Sequence, residues 1–213
     1  MCVLWQVVSE WTFNKDGVDI PQADIANDHK AAQLEDVNTF LGLDANRLCR
    51  WDMRDRRGVV QESPALDWKG GKDFSRGTNF SCMATSGLGY VVVGSKDGKL
   101  RLYNNKTLTQ AKTQIPGLGK PITGVDVTYD GSYVLATTDD YIMVVKTTVT
   151  DASSGKELCG FQDRVGGRLA TPRLLRLKPE DVLVTGGKPL RGAKFTWVGS
   201  GPCRTGLQPG ACV

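Results

Sequence analysis

A chain of 213 residues with 40% hydrophobic and 23% charged side chains has the makings of one domain, or two small ones, around a sizeable core, and its 25 glycines imply more chain reversals than a helical bundle tolerates. The formal net charge of +4 hides an uneven spread: residues 1 to 46 hold eight acids against two lysines, and residues 164 to 194 hold eight lysines or arginines against two acids. That split reads either as a basic partner surface or as two solvated faces.

The N-terminal run Met1 to Val8 is apolar but short, with no basic lead-in and no small-residue cleavage site, so no signal peptide is expected. No apolar stretch approaches the ~20 residues of a membrane helix, so no membrane insertion is expected either. His29 is the sole histidine. A Ser-His-Asp or Cys-His constellation therefore has one possible base, and no G-x-S-x-G elbow accompanies it. Two readings remain: a structural hydrogen bond within a sheet, or an exposed loop.

From Leu41 the segment LGLDANRLCRWD has the outline of a β-hairpin, with Ala45-Asn46 at its turn. Arg47, Arg50, Arg54, Arg56 and Arg57 cluster in and after it. Arginine suits bidentate recognition of carboxylate or phosphate, so these five are the candidate partner surface; the alternative is solvated charges paired in part with Asp52 and Asp55.

Phe80 to Thr85 reads as a strand, with Gly87-x-Gly89 as the turn after it. Tyr90 to Val93 is apolar at every position, which suits a strand covered on both faces. The segment VGSKDGKLRLYN from Val93 repeats the hairpin, with Asp97-Gly98 supplying positive φ at the turn. Ile122 to Val127 is a partly alternating strand that turns at Asp130-Gly131, and LATTDDYIMVVK from Leu135 is the third hairpin. The three segments align without gaps, their starts 52 and 42 residues apart, each with a small residue (Gly42, Gly94, Ala136) closing the entering run. Lys99 to Tyr103 and Tyr141 to Val145, leaving the turns, are rich in β-branched or aromatic residues and read as central strands. By this alignment Arg50 takes the place of Leu102 and Val144, as though the first unit were shifted or at an edge.

A fourth unit is expected to begin at Arg173 to Leu177, turn at Lys178-Pro179-Glu180-Asp181, and continue through Val182-Leu183-Val184 towards Phe195 to Val198. Residues 199–213 hold four Gly and two Pro without apolar period and read as an irregular tail. The domain expectation is thus 1–198 with a tail of 199–213. Strand, turn, strand at about 40 to 50 residues per cycle is the order within propeller blades. The fold class is all-β, a partial WD-repeat-like β-propeller of about three to four blades in an open arc, whose end strands are free to pair with another chain.

Cofactor and metal sites are not expected. The six cysteines, at 2, 49, 82, 159, 203 and 212, contain no C-x-x-C pair and no even spacing, which argues against zinc or a disulfide framework and fits a reducing cytosolic or nuclear setting. Cys49 and Cys82 lie in apolar runs as small buried hydrophobes. Gly186-Gly187-Lys188 lacks phosphate-loop spacing and Pro189 follows the lysine, so a plain turn is expected. Asp139-Asp140 and Asp44-x-Asn46 lack further oxygen ligands for calcium and read as hairpin turns.

Trp51-Asp52 is the dipeptide for which WD repeats are named, and Tyr103-Asn104 is a weaker echo. The longer stretches Phe40 to Asp44, Asn46 to Arg54, Gly94 to Tyr103 and Thr171 to Leu175 resemble the C-terminal domain of the vacuolar import and degradation protein twenty-seven family, including plant relatives called defective in embryo and meristem development. The resemblance runs from about Val7 to Val198. It implies a propeller-like interaction module within a longer protein, acting on protein partners in intracellular turnover, trafficking or growth regulation, and no enzyme. The alternative is a nucleic-acid-binding module using Arg164 to Lys194. Only Phe195 borders that stretch as a stacking platform, which disfavours single-strand recognition.

Overall fold

A computed structural model of the chain describes residues 14–15, 18–19, 21–30, 39–52, 62–63, 66–67, 78–106, 108 and 110–196. The tail expected at 199–213 lies outside these residues.

Alternation of apolar residues and turn-forming pairs produces antiparallel sheets throughout. β1 (Asn14–Lys15) and β2 (Val18–Asp19) form a short hairpin. β3 (Asp24–Asn27), β4 (Thr39–Asp44) and β5 (Arg47–Asp52) make the first blade in the order β3-β4-β5. β6 (Glu62–Ser63) and β7 (Leu66–Asp67) are a second short pair. The second blade orders β8 (Phe80–Thr85), β9 (Val91–Ser95), β10 (Leu100–Tyr103) and β11 (Thr113–Ile115) by simple succession. The third comprises β12 (Gly124–Val127), β13 (Tyr133–Thr137), β14 (Ile142–Lys146) and, beyond an excursion through the pair β15 (Thr148–Thr150) and β16 (Glu157–Cys159), the outer strand β17 (Arg173–Leu175).

These blades are stacked radially, as a partial propeller of the WD-repeat kind. Their first strands β3, β8 and β12 lie side by side, and apolar side chains fill the space between sheets. Alternation along the middle blade feeds both neighbours. Met83, Val91, Val93 and Tyr103 pack with Leu41, Leu43 and Trp51 of the first blade, while Cys82, Val92, Leu100 and Leu102 pack with Val125, Val134, Met143 and Val145 of the third. A bulge between Phe80 and Cys82 turns Phe80 onto the same side as Met83. Burial of each such aliphatic side chain stabilises by about 1.5–3 kcal/mol, and the middle sheet collects that gain on two faces.

The small residue of each repeat unit has a steric reason. A Cβ on Gly94 would lie 2.7 Å from Ile122 Cγ2 and 2.8 Å from Cys82 Sγ, and one on Gly42 would lie 2.7 Å from Trp51 Nε1. The third unit has more room and buries Ala136.

Three expectations are corrected. Arg173–Leu175 does not open a fourth unit: it pairs with β14 through Ile142↔Leu175 and Val144↔Arg173 and completes the third sheet. Val182-Leu183-Val184 is not a strand but part of α1 (Pro179–Thr185). Proline at the first helical positions, Glu180 and Asp181 in the first turn and Gly186 in the left-handed conformation (φ 63°) at the C-cap outweigh the β-branched composition. Finally, the hairpins are not gapless equivalents. Gly42 pairs with Cys49 and Ala136 with Met143, but Gly94 pairs with Leu100, so the stretch from the small residue to its partner is one residue shorter in the second hairpin.

Candidate functional site

The register change alters the meaning of Arg50. Opposite Leu41 stands Arg50, and opposite the equivalent Val93 stands Arg101, so the true counterpart of Arg50 is another arginine and not Leu102. Both guanidiniums are held inside the fold. Arg50 Nε donates to Asp28 Oδ1 at 2.8 Å and its Nη2 lies 2.8 Å from the same oxygen, while Thr39 Oγ1 donates to Asp28 Oδ2 at 2.9 Å. The two charged side chains are only 14% and 18% exposed. Arg101 donates through Nη1 to Ser95 Oγ at 2.7 Å, has Nη2 3.6 Å from Asp97 Oδ2, and lies over the Phe80 ring at 5.4 Å.

Of the other arginines in the candidate partner surface, Arg47 ends the first hairpin turn opposite Asp44 and is half-buried. Arg54, Arg56 and Arg57 lie outside the described residues. The structure thus brings Arg47 and Arg50 to one strand, with Arg50 engaged by Asp28.

Asp97 organises the second turn. It accepts from the Ser95 hydroxyl and from Lys99 N at 3.1 Å, with Lys99 Nζ 3.1 Å from its second oxygen. Partial burial pushes its carboxyl upward, but these donors and Arg101 outweigh that, and its pKa falls below the ordinary carboxylate value. Asp139 and Asp140, at the third turn, are each met by a cation, Arg191 and Lys120 respectively. Asp44 Oδ1 accepts from Ala45 N at 2.6 Å and Asn46 Oδ1 from Thr78 Oγ1 at 3.1 Å, so those oxygens serve the first turn. Gly186 and Gly187, both at positive φ, form the turn after α1.

A pocket of about 380 Å³ opens where β3, β8 and β12 meet. The sequence singled out His29, Cys82 and, at the end of the basic stretch, Lys194, but gave no sign that they meet, because the lining comes from three distant strands and the segment after Leu190. Inner strand edges here are capped by side chains from neighbouring elements. Met83 N donates to Asp24 Oδ2 at 2.8 Å and Thr85 Oγ1 to Asn27 O at 2.9 Å. Lys30 Nζ reaches Asp126 Oδ1 at 2.9 Å and Val127 O at 2.8 Å, and Phe195 N donates to Asp126 Oδ2 at 2.7 Å. Every carboxylate in this pocket is committed to such a contact. The signal available in the sequence was weak: Asp126 interrupts an otherwise apolar strand, and Asp24 opens a short polar-ended one.

Cys49 and Cys82 are buried and free, with their thiols pushed up to about 11 by burial, which makes both poor nucleophiles at neutral pH. Among the described residues no group of three or more His, Cys, Asp or Glu is gathered to hold a metal ion, and no helix is long and apolar enough to cross a membrane.

Residues 4–198 match the family model described as the VID27 C-terminal WD40-like domain. Two curated relatives, both called vacuolar import and degradation protein 27, are similar to the chain. One, from Schizosaccharomyces pombe, is 31% identical over 90% of the chain and 23% of its own length. The other, from Saccharomyces cerevisiae, is 26% identical over 65% of the chain and 19% of its own length, so the chain spans about a fifth to a quarter of these proteins. Among solved structures, the β-propeller domain of Cps50 (Swd1) from Myceliophteria thermophila aligns with a TM-score of 0.42 at 13% identity, over 70% of this chain and 39% of that one.

Proposed function

Because the chain belongs to the VID27 family, whose C-terminal WD40-like domain it matches across residues 4–198, we propose that it is a non-enzymatic scaffold that binds protein partners in intracellular turnover or trafficking. The observation that carries this reading is the radial stack itself. It buries the apolar faces between blades and leaves the turns and outer strands to partners, while the carboxylates at the inner edge are spent on structural contacts. The turnover or trafficking role follows the name of the two relatives. The cysteine pattern, with no C-x-x-C pair and no even spacing, is what favours a cytosolic or nuclear setting. Arg47, Arg54, Arg56 and Arg57 remain the arginines proposed to face a partner, while Arg50 is paired with Asp28.

Affinity capture with the longer parent protein and with this chain tests the reading. A common set of retained proteins supports it. Turnover of generic substrates that is abolished by one acidic substitution, with no specific protein retained, would overturn it.

A further inference from the structure

Beside the third hairpin turn lies a groove of about 490 Å³ that neither the blade packing nor the inner pocket uses. One wall is the turn itself with Tyr141, and the other is α1 and the residues flanking it. Its apolar lining comes from Leu118, Leu177, Val182 and Leu190, and the first three of these are exposed. The helix that forms its wall has no buried residue, and beyond Val182 its Leu183 and Val184 are 83% and 87% exposed. Leu183 and Val184 lie beside the groove and not in it, so Leu118, Leu177 and Val182 are the uncovered aliphatic side chains that mark this concave feature as a contact site.

Charge identifies the kind of partner. The acids on the groove, Asp139 and Asp140, are already met by Arg191 and Lys120. Arg176, stacked 5.5 Å over the Tyr141 ring, and Lys188 add two further cations to the lining. They sit within the stretch 164–194, which carries eight basic residues against two acids, Glu180 and Asp181 at the start of α1, neither of which lines the groove. A concave, half-apolar groove with excess positive charge is complementary to an extended acidic segment that inserts an aliphatic or aromatic anchor. A lipid surface would be met by a convex tip, which this groove is not.

We propose that the groove between the Asp139-Asp140 turn and α1 is the docking site for an acidic peptide segment of a partner protein, with Arg176 and Lys188 pairing its carboxylates and Leu118, Leu177 and Val182 receiving its apolar anchor. The assignment rests on the reading of the chain as an interaction module and names the chemistry of what one of its surfaces takes.

The test uses fluorescence anisotropy with a short labelled peptide, a central Leu-Phe pair flanked by Glu on both sides, against its Lys-flanked counterpart. The acidic probe is expected to bind at least about tenfold more tightly, and to lose about tenfold in affinity with the double substitution Arg176→Glu and Lys188→Glu or with raised salt. Leu118→Ser should weaken it several-fold without reversing the charge preference. Thermal unfolding of each variant separates lost binding from lost fold. Equal binding of the two peptides overturns the proposal. So does binding of phosphatidylserine vesicles in place of the peptide, or self-association that the double substitution abolishes. If the longer parent protein retains its captured partners equally with and without the double substitution, the groove is wrong and the scaffold reading stands. If neither form retains any specific protein, the scaffold reading fails, while peptide binding is judged on its own anisotropy.

Discussion

Two arginines at one ladder position, Arg50 and Arg101, are bound to carboxylates of their own blades, and the third blade puts Val144 there. Truncating a guanidinium so placed strands its partner. Arg50→Ala leaves Asp28 with the Thr39 hydroxyl alone in a poorly hydrated site, and a loss of about 2 kcal/mol is expected in chemical denaturation. Arg50→Lys should recover only part of that, since an ammonium cannot match the two-nitrogen approach. A variant of full stability that nonetheless loses a captured partner would show Arg50 acting at the surface instead.

Titration gives a second handle at this scale. The folded-state pKa of Asp97 is depressed, so its contribution to stability is complete above the unfolded carboxylate value of ~3.9 and disappears as pH falls through the folded value. Asp97→Asn should therefore be less stable at neutral pH and show a flatter acid limb, measured as unfolding midpoint against pH. The cysteines run the other way. Burial raises Cys49 and Cys82 to about 11, so their contribution is present below the ordinary thiol value and lost as pH rises towards that figure. Neither should react with a thiol reagent at neutral pH until the protein is unfolded, and rapid labelling of either in the native chain would contradict the packing described.

At the scale of elements, the hairpins show how little backbone tolerance the repeat has. Gly94→Ala would place a methyl 2.7 Å from Ile122 and 2.8 Å from Cys82, between two sheets whose separation is set by many other contacts. A destabilisation of about 1–3 kcal/mol is expected by denaturant titration. α1 is the opposite case. With no residue buried, Leu183→Glu should change stability by less than about 0.5 kcal/mol while improving solubility. A large loss would mean that the helix is packed against something this arrangement does not contain. The helix was legible locally, in Pro179, the two acids after it and Gly186. The run Val182-Leu183-Val184 masked that signal because three consecutive aliphatics suit a buried strand as well as a helix turn.

Across the whole molecule, stability is graded by how many faces of a sheet are covered. The second blade is buried on both sides, so the amides of Val91, Val92 and Val93 should exchange with solvent only through global unfolding, whereas those of α1 should exchange through local opening at little cost. Hydrogen exchange that ranked α1 with β9 would refute this gradient. The same stacking creates the inner pocket, where residues far apart in the chain meet.

Local chemistry alone determined the blades' inner construction. Unbroken apolar runs such as Tyr90 to Val93 required two covered faces, and Asp97-Gly98 required a tight turn, with Gly98 at φ 80°. Both demands act within a few residues, so they were readable before any fold was known. Tertiary structure decided what distance in sequence hides. A three-residue strand like β17 carries too little pattern to announce that it returns to β14. The fate of Arg50 depends on Asp28, which only the pairing of β3 with β4 brings within reach. Side-chain partners across sheets follow from register, and in the second hairpin one residue fewer between paired positions than in the other two puts Arg101, not Leu102, opposite Val93.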